Sequence, residues 1–131
     1  MVDIDYIMNL IDWNKDIHEQ KKGIEMAEKI ENINVFLQPC NKNSNKNVWN
    51  NCAIILSKRT DEELSPYLVE LFMWLQDMNW PGALRVFDRI QRYSDDVSYN
   101  IAYGICIKYA QALSDDIWES NLKKIKRNID Y

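Results

Sequence analysis

Leu71-Phe72-Met73-Trp74-Leu75-Gln76-Asp77-Met78-Asn79-Trp80-Pro81-Gly82-Ala83 is the stretch that decides how this chain folds. Strongly apolar helical runs lie on both sides of it, and a tight corner flanked by Trp joins them. Asp77 and Asn79 are residue types that cap helix ends, and Pro81 opens a helix where no amide donor is needed. Gly82 allows two helices to approach closely. Read this way the segment is architectural: it predicts paired helices and carries no recognisable chemistry.

Upstream of the corner, Leu68, Leu71, Phe72 and Leu75 recur at helical spacing behind Ser65-Pro66. Thr60-Asp61-Glu62-Glu63 has the form of a capping box. Residues 48–58 form another helix, with Trp49, Cys52, Ala53, Ile55 and Leu56 clustered. Downstream, Ala83, Leu84, Val86, Phe87 and Ile90 line a helix whose outer side holds Arg85, Asp88, Arg89 and Arg92. Ser94-Asp95-Asp96 caps a helix over 97–113 that is apolar nearly all round, a composition that predicts burial by neighbours. Ser114-Asp115-Asp116 caps the last helix, 117–128, whose Lys123, Lys124, Lys126 and Arg127 complement the negative end of its dipole.

Toward the N-terminus, Ile4, Ile7, Met8 and Ile11 predict a short helix broken at Trp13-Asn14. Ile17, Ile24, Ala27 and Ile30 predict a second, amphipathic one that continues through Gly23. Val35-Phe36-Leu37 is an apolar patch halted by Pro39, and the Asn- and Lys-rich run 41–47 reads as a solvated connecting loop.

The 131 residues suit one domain, with N-terminal helices and loop over 1–47 and a repeat-like helical core over 48–131. Only three Gly and three Pro supply corners, so the fold class is all-α, about six or seven long elements in antiparallel pairs. Five Trp and seven Tyr supply large side chains for helix interfaces. A formal net charge of −4 argues against nonspecific nucleic-acid binding. Residues 60–96 hold eight acids against three bases, an excess that would steer a basic partner. Three cysteines without a CxxC pair suit a reducing cytoplasm. The acidic start Met1-Val2-Asp3-Ile4-Asp5 lacks the pattern of a signal peptide, and no apolar run is long enough to span a bilayer.

Motifs for common chemistries are missing. There is no GxGxxG, GxxxxGK[ST] or GxSxG, and no set of residues at metal-ligand spacing, so neither cofactor nor metal is expected. Cys40, beside the loop, is the most exposed-looking thiol, but His18 is the sole imidazole that could activate it. Asp95/Asp96 and Asp115/Asp116 look like acid–base pairs, yet each follows Ser and precedes an apolar helix, the position of a cap. No catalytic residue is assigned.

Three helices begin alike. Trp49 precedes Ala53 and Leu56, Trp80 precedes Leu84 and Phe87, and Trp118 precedes Leu122 and Ile125, with starts 31 and 38 residues apart. That period points to stacked two-helix units with Trp wedged between them. Glu63-Leu64, Pro66-Tyr67-Leu68 and above all Trp74-Leu75-Gln76-Asp77-Met78-Asn79-Trp80-Pro81-Gly82-Ala83 resemble a family of small bacterial domains of unknown function, over about 48–93. The resemblance implies a HEAT-like or armadillo-like helical stack and brings no catalytic residue with it.

The expected function is therefore a non-enzymatic protein-interaction domain, with Trp74, Asp77, Asn79, Trp80, Asp95 and Asp96 as the candidate surface. Its sharpest form, suggested by analogy of fold, is a bacterial immunity protein that neutralises a basic toxin domain. The competing expectation is a small metal- or ligand-binding enzyme of the acidic middle, with Asp77, Asp95 and Asp96 as ligands. Self-association through Trp74 or Trp80 is a third.

Overall fold

The computed structural model describes residues 3–40 and 45–127, and among them every regular element is helical. The order is α1 (Ile4–Leu10), α2 (Ile17–Ala27), α3 (Trp49–Ser57), α4 (Asp61–Leu64), α5 (Leu68–Met73), α6 (Ala83–Gln91), α7 (Asp96–Ala112) and α8 (Asp116–Lys123). Short 3-10 turns at Ile33–Phe36, Gln38–Cys40, Lys46–Val48, Ser65–Tyr67 and Trp74–Gln76 carry the chain between them. The all-α reading therefore holds. Residues 41–44 of the expected loop, and Asn128 at the end of the last expected helix, lie outside the described residues. α8 itself stops at Lys123, followed by a turn at Lys124.

The caps follow the local sequence. Asp3, Asp16, Asp95 and Asp115 each accept from backbone amides one turn on, satisfying donors that have no partner inside the helix. Thr60 and Glu63 close the predicted capping box, at 3.1 Å from Glu63 N to Thr60 Oγ1 and 3.2 Å from Thr60 N to Glu63 Oε1. One apolar core runs through the molecule, with Phe36, Cys52, Phe72, Trp74, Leu75 and Leu122 among its fully buried side chains.

Buried and half-buried polar side chains then tie the helices together. The last carbonyls of a helix lack intrahelical donors, and here neighbouring elements supply them. Asn51 Nδ2 on α3 donates to Ile11 O just past α1, at 2.7 Å. Arg59 Nη2 donates to Ala27 O and Ile30 O at the end of α2, both at 2.7 Å. From α8, Trp118 Nε1 donates to Phe72 O at 3.0 Å and Asn121 Nδ2 to Leu75 O at 2.8 Å, closing the end of α5. The bonds from Asn51, Trp118 and Asn121 are buried and those from Arg59 partly so, and losing a buried one leaves a carbonyl unsatisfied.

Several residues stand where the helical pattern did not put them. On α6, Leu84 is 71% exposed, whereas Arg89 is buried. The two flank opposite sides of the Ala83–Val86–Ile90 stripe, about 100° off it. The α4 side covers Arg89, which donates to Asp61 Oδ1 and to Arg59 O, while nothing covers Leu84. Ile17, expected on the apolar side of α2, is exposed at the helix start. The largest departure is α7. Burial by neighbours is met on one side alone: Tyr99, Ala102, Cys106 and Ala110 pack inward, while Val97, Ile101, Tyr109 and Leu113 stand in solvent. α5 and α8 are the helices packed against α7, and together they cover one face of it.

Candidate functional site

The corner is built around three indoles. Trp74 is fully buried, its Nε1 donating to Pro81 O at 3.0 Å. Trp49 meets Trp74 edge-on with ring centres 6.2 Å apart, and meets Trp80 edge-on at 5.5 Å. Such edge contacts place a ring's positive rim on its neighbour's negative face. Gly82 makes the arrangement fit. Its φ of +85° lies in the left-handed region, and a Cβ there would stand 2.7 Å from Ala53 Cβ and 2.9 Å from Trp49 O. Asp77 Oδ1 accepts from Asn79 N at 2.8 Å, and Asp77 O accepts from Trp80 N at 3.0 Å, so both polar residues shape the turn.

On the solvent side of this scaffold lies an open groove of about 470 Å³. Met78, Trp80 and Leu84 give it apolar walls, and Asn50 and Arg85 give it a polar bank, with Arg85 Nε donating to Asn50 Oδ1 at 3.3 Å. Asn79 completes the rim. Of the expected surface, then, Asn79 and Trp80 line a groove and Asp77 holds the turn beneath it. Trp74 is a correction: it belongs to the core, because its ring fills the space between α3 and the corner. That also removes it as a surface for self-association.

Asp95 and Asp96 sit at another place, the start of α7. Asp95 Oδ1 accepts from Val97 N at 3.2 Å and its Oδ2 from Ser98 Oγ at 2.9 Å. Asp96 pairs with Arg127 at 2.7 Å, and that guanidinium lies 4.3 Å from the centre of the Tyr99 ring. Burial, together with the Tyr103 phenol, pushes the Tyr99 hydroxyl up to about 12, although Arg127 opposes the shift. The structure thus separates Asp77 from Asp95 and Asp96 by role. Among the described residues no group of three or more His, Cys, Asp or Glu gathers as a metal site would require.

Other acids of the middle segment are also engaged. Glu63 pairs with Arg59 at 2.7 Å and Asp88 with Arg92 at 3.3 Å. Asp61 takes Arg89 on one oxygen and both the amide and hydroxyl of Ser94 on the other. Burial alone would raise the Asp61 carboxyl, but the bonds from Arg89 and Ser94 outweigh it and hold the group below its ordinary value. Such pairing weakens the field that the raw count of acids suggests. The side chain of Cys40 lies outside the described residues, and His18 is exposed at the start of α2, its backbone amide bonded to Asp16.

The sequence reading missed Leu84, Arg85, Met78 and Asn50 as groove residues. Their signal was absent locally, since three different elements bring them together. The three Trp-led segments also diverge. Trp49 and Trp118 are buried residues of a helix's first turns, whereas Trp80 precedes its helix and borders the groove.

A protein-family model described as a domain of unknown function (DUF5071) matches residues 37–128. No curated protein and no solved structure matches the chain.

Proposed function

We propose, from the premise that the chain belongs to this family of domains of unknown function, that it is a non-enzymatic protein-interaction domain. It holds a segment of another protein at the Trp corner. One observation carries the reading: the groove between Asn50, Trp80, Leu84 and Arg85 is open, apolar at its walls and set on a rigid indole scaffold. Trp, Met and Arg are the side chains enriched where proteins bind one another, and a preformed floor lowers the ordering cost of binding. Its chemistry suits an apolar side chain next to a carboxylate, which Arg85 and the Asn50 amide would receive. Neutralisation of a toxin is the finer form of this reading, and it inherits the same surface.

The test is to coexpress the chain with the protein encoded directly upstream of its gene and purify by a tag on either one. Copurification that Leu84→Glu and Arg85→Glu each abolish, with helicity unchanged by circular dichroism, is the expected result. Both side chains are exposed, so neither change disturbs the core. No copurification, or copurification indifferent to both variants, refutes the assignment.

A further inference from the structure

The first half of α7 and the start of α5 lie side by side, with an open trough between them. Its first part, of about 210 Å³, is apolar. Leu68 and Ala102 are buried beneath it, Pro66 and Val69 form one wall, and Ile101 and Ile105, 61% and 37% exposed, form the other. The α7 residues that line it, Ser98, Ile101, Ala102 and Ile105, recur at steps of one, three and four, so they share about 100° of the helix circumference. One bound segment can therefore reach all of them.

Past Ser98 the trough continues into a second part of about 330 Å³, which shares Ser65 and Pro66 with the first. Ser98 Oγ joins the two: it meets Tyr93 Oη at 2.6 Å and donates to Asp95 Oδ2 at 2.9 Å, and both of those residues line the second part. Here the lining is acidic. Asp61, Glu62 and Asp95 contribute carboxylates, and no base stands among the lining residues. Arg89 compensates Asp61, so the charge offered to a ligand is that of Glu62 and Asp95. Glu62 is exposed and makes no ion pair among the described residues. Asp95 accepts from the Val97 amide and the Ser98 hydroxyl, neutral donors that leave its charge whole.

Acids at a helix start are ordinary caps and by themselves mark no ligand. Here an apolar trough runs into them, and the junction selects a chemistry. Its walls favour burial of an apolar side chain, while the uncompensated carboxylates repel an anion and attract a cation. Between Asp95 and Ile101 the helix advances about 9 Å along its axis, a span that an extended chain covers in about three residues.

We infer that this trough seats an extended segment of a partner protein in which a leucine-like side chain lies about three residues from a lysine or arginine. The apolar side chain enters between Val69 and Ile101, and the base reaches Glu62 and Asp95. The acidic excess of residues 60–96, much of it spent on internal pairs, acts on a basic partner at this place. The trough shares no lining residue with the corner groove, whose Arg85 suits the opposite charge, so either can hold without the other.

Selection of random linear peptides displayed on phage, against the full chain carrying Leu84→Glu, tests the inference with the corner groove blocked. The expected result is enrichment of peptides that place Lys or Arg about three residues from Leu, Ile or Phe. A synthetic peptide of that consensus, followed by fluorescence anisotropy, binds the unsubstituted chain and is weakened by rising salt, because Glu62 and Asp95 face water. Glu62→Lys and Ile101→Asn each weaken it by about tenfold or more, the loss expected at a central interface side chain, while Leu113→Asn, exposed on the same helix outside the trough, leaves it unchanged. All three positions are exposed, and circular dichroism with the thermal midpoint checks that the variants fold. No enrichment, or enrichment of acidic peptides, overturns the inference. So does binding indifferent to Glu62→Lys or to Ile101→Asn, or equally lost on Leu113→Asn. Sedimentation that shows a dimer dissolved by Ile101→Asn overturns it as well, since a second copy would then cover the trough.

Discussion

Gly82→Ala changes one atom and should cost a large part of the stability of this protein. The position has φ +85°, and an L-residue held in the left-handed region costs roughly 1–2 kcal/mol. The added Cβ would meet Ala53 Cβ at 2.7 Å, Trp49 O at 2.9 Å and Trp74 Cζ2 at 3.1 Å. Carbon pairs rest at about 3.5–4.0 Å, so α3 and the corner must part by most of an ångström. Two of the three obstacles are a helix backbone and a buried indole, neither of which swings aside. Overpacking of this kind costs about 1–3 kcal/mol. The two terms together come to about 2–5 kcal/mol, against a total of roughly 5–15 kcal/mol for a domain. Urea denaturation followed by Trp fluorescence reads the loss directly. With a slope of about 1–3 kcal/mol per molar, the midpoint falls by a molar or more. Gly104→Ala is the contrast. Its Cβ meets nothing, and the helix gains about 1 kcal/mol. A Gly82→Ala protein within about 1 kcal/mol of the parent, or a Gly104→Ala protein less stable than it, would refute the reasoning.

Asp61→Ala strips Arg89 of its carboxylate while Arg89 remains buried, so a loss of about 3 kcal/mol is expected by chemical denaturation, whereas Asp88→Ala, at an exposed pair, shifts stability by less than about 0.5 kcal/mol. Acid should destabilise the fold through Asp61 and Glu63. Their folded-state pKa values are both lowered, Asp61 by the bonds from Arg89 and Ser94 that overcome its burial, Glu63 by Arg59 and the Thr60 amide. The unfolded chain therefore takes up protons first: stability is full above the ordinary values of 3.8 and 4.5 and falls as pH drops through the lowered ones, a slope that Asp61→Asn flattens. Trp118→Phe removes the indole donor from Phe72 O and leaves a gap beside α5, for a loss of about 2–3 kcal/mol in a thermal or urea melt.

How much was legible is clearest residue by residue. The capping box at Thr60 and Glu63, the Asp caps of α7 and α8, and Pro66 at its turn all involve neighbours within four residues, and each was readable in order along the chain. The corner was placed correctly, but its parts were sorted wrongly. Trp74 and Trp80 are the same residue six apart in one motif, yet one fills the core and the other edges a groove. Leu84 and Arg89 exchanged the sides that their chemistry suggests. Position on a helical wheel ranks residues near the middle of a stripe and is silent about its edges, where the next element decides.

Spacing along the chain determined that apolar stripes three to four residues apart would make helices, where those helices would start, and that they would pack through large aromatic side chains. Those properties depend on backbone hydrogen bonds and on contacts a turn away. Tertiary structure alone decided which stripe stays in water. α7 is apolar on nearly all sides, but α5 and α8 cover one side of it, and Val97, Ile101, Tyr109 and Leu113 are left in water. Likewise the groove at Asn50, Trp80 and Arg85 exists because Gly82 brings the start of α6 against Trp49 and Ala53 of α3, about thirty residues away along the chain. Burial is a property of what arrives from elsewhere in the chain, and no local pattern encodes it.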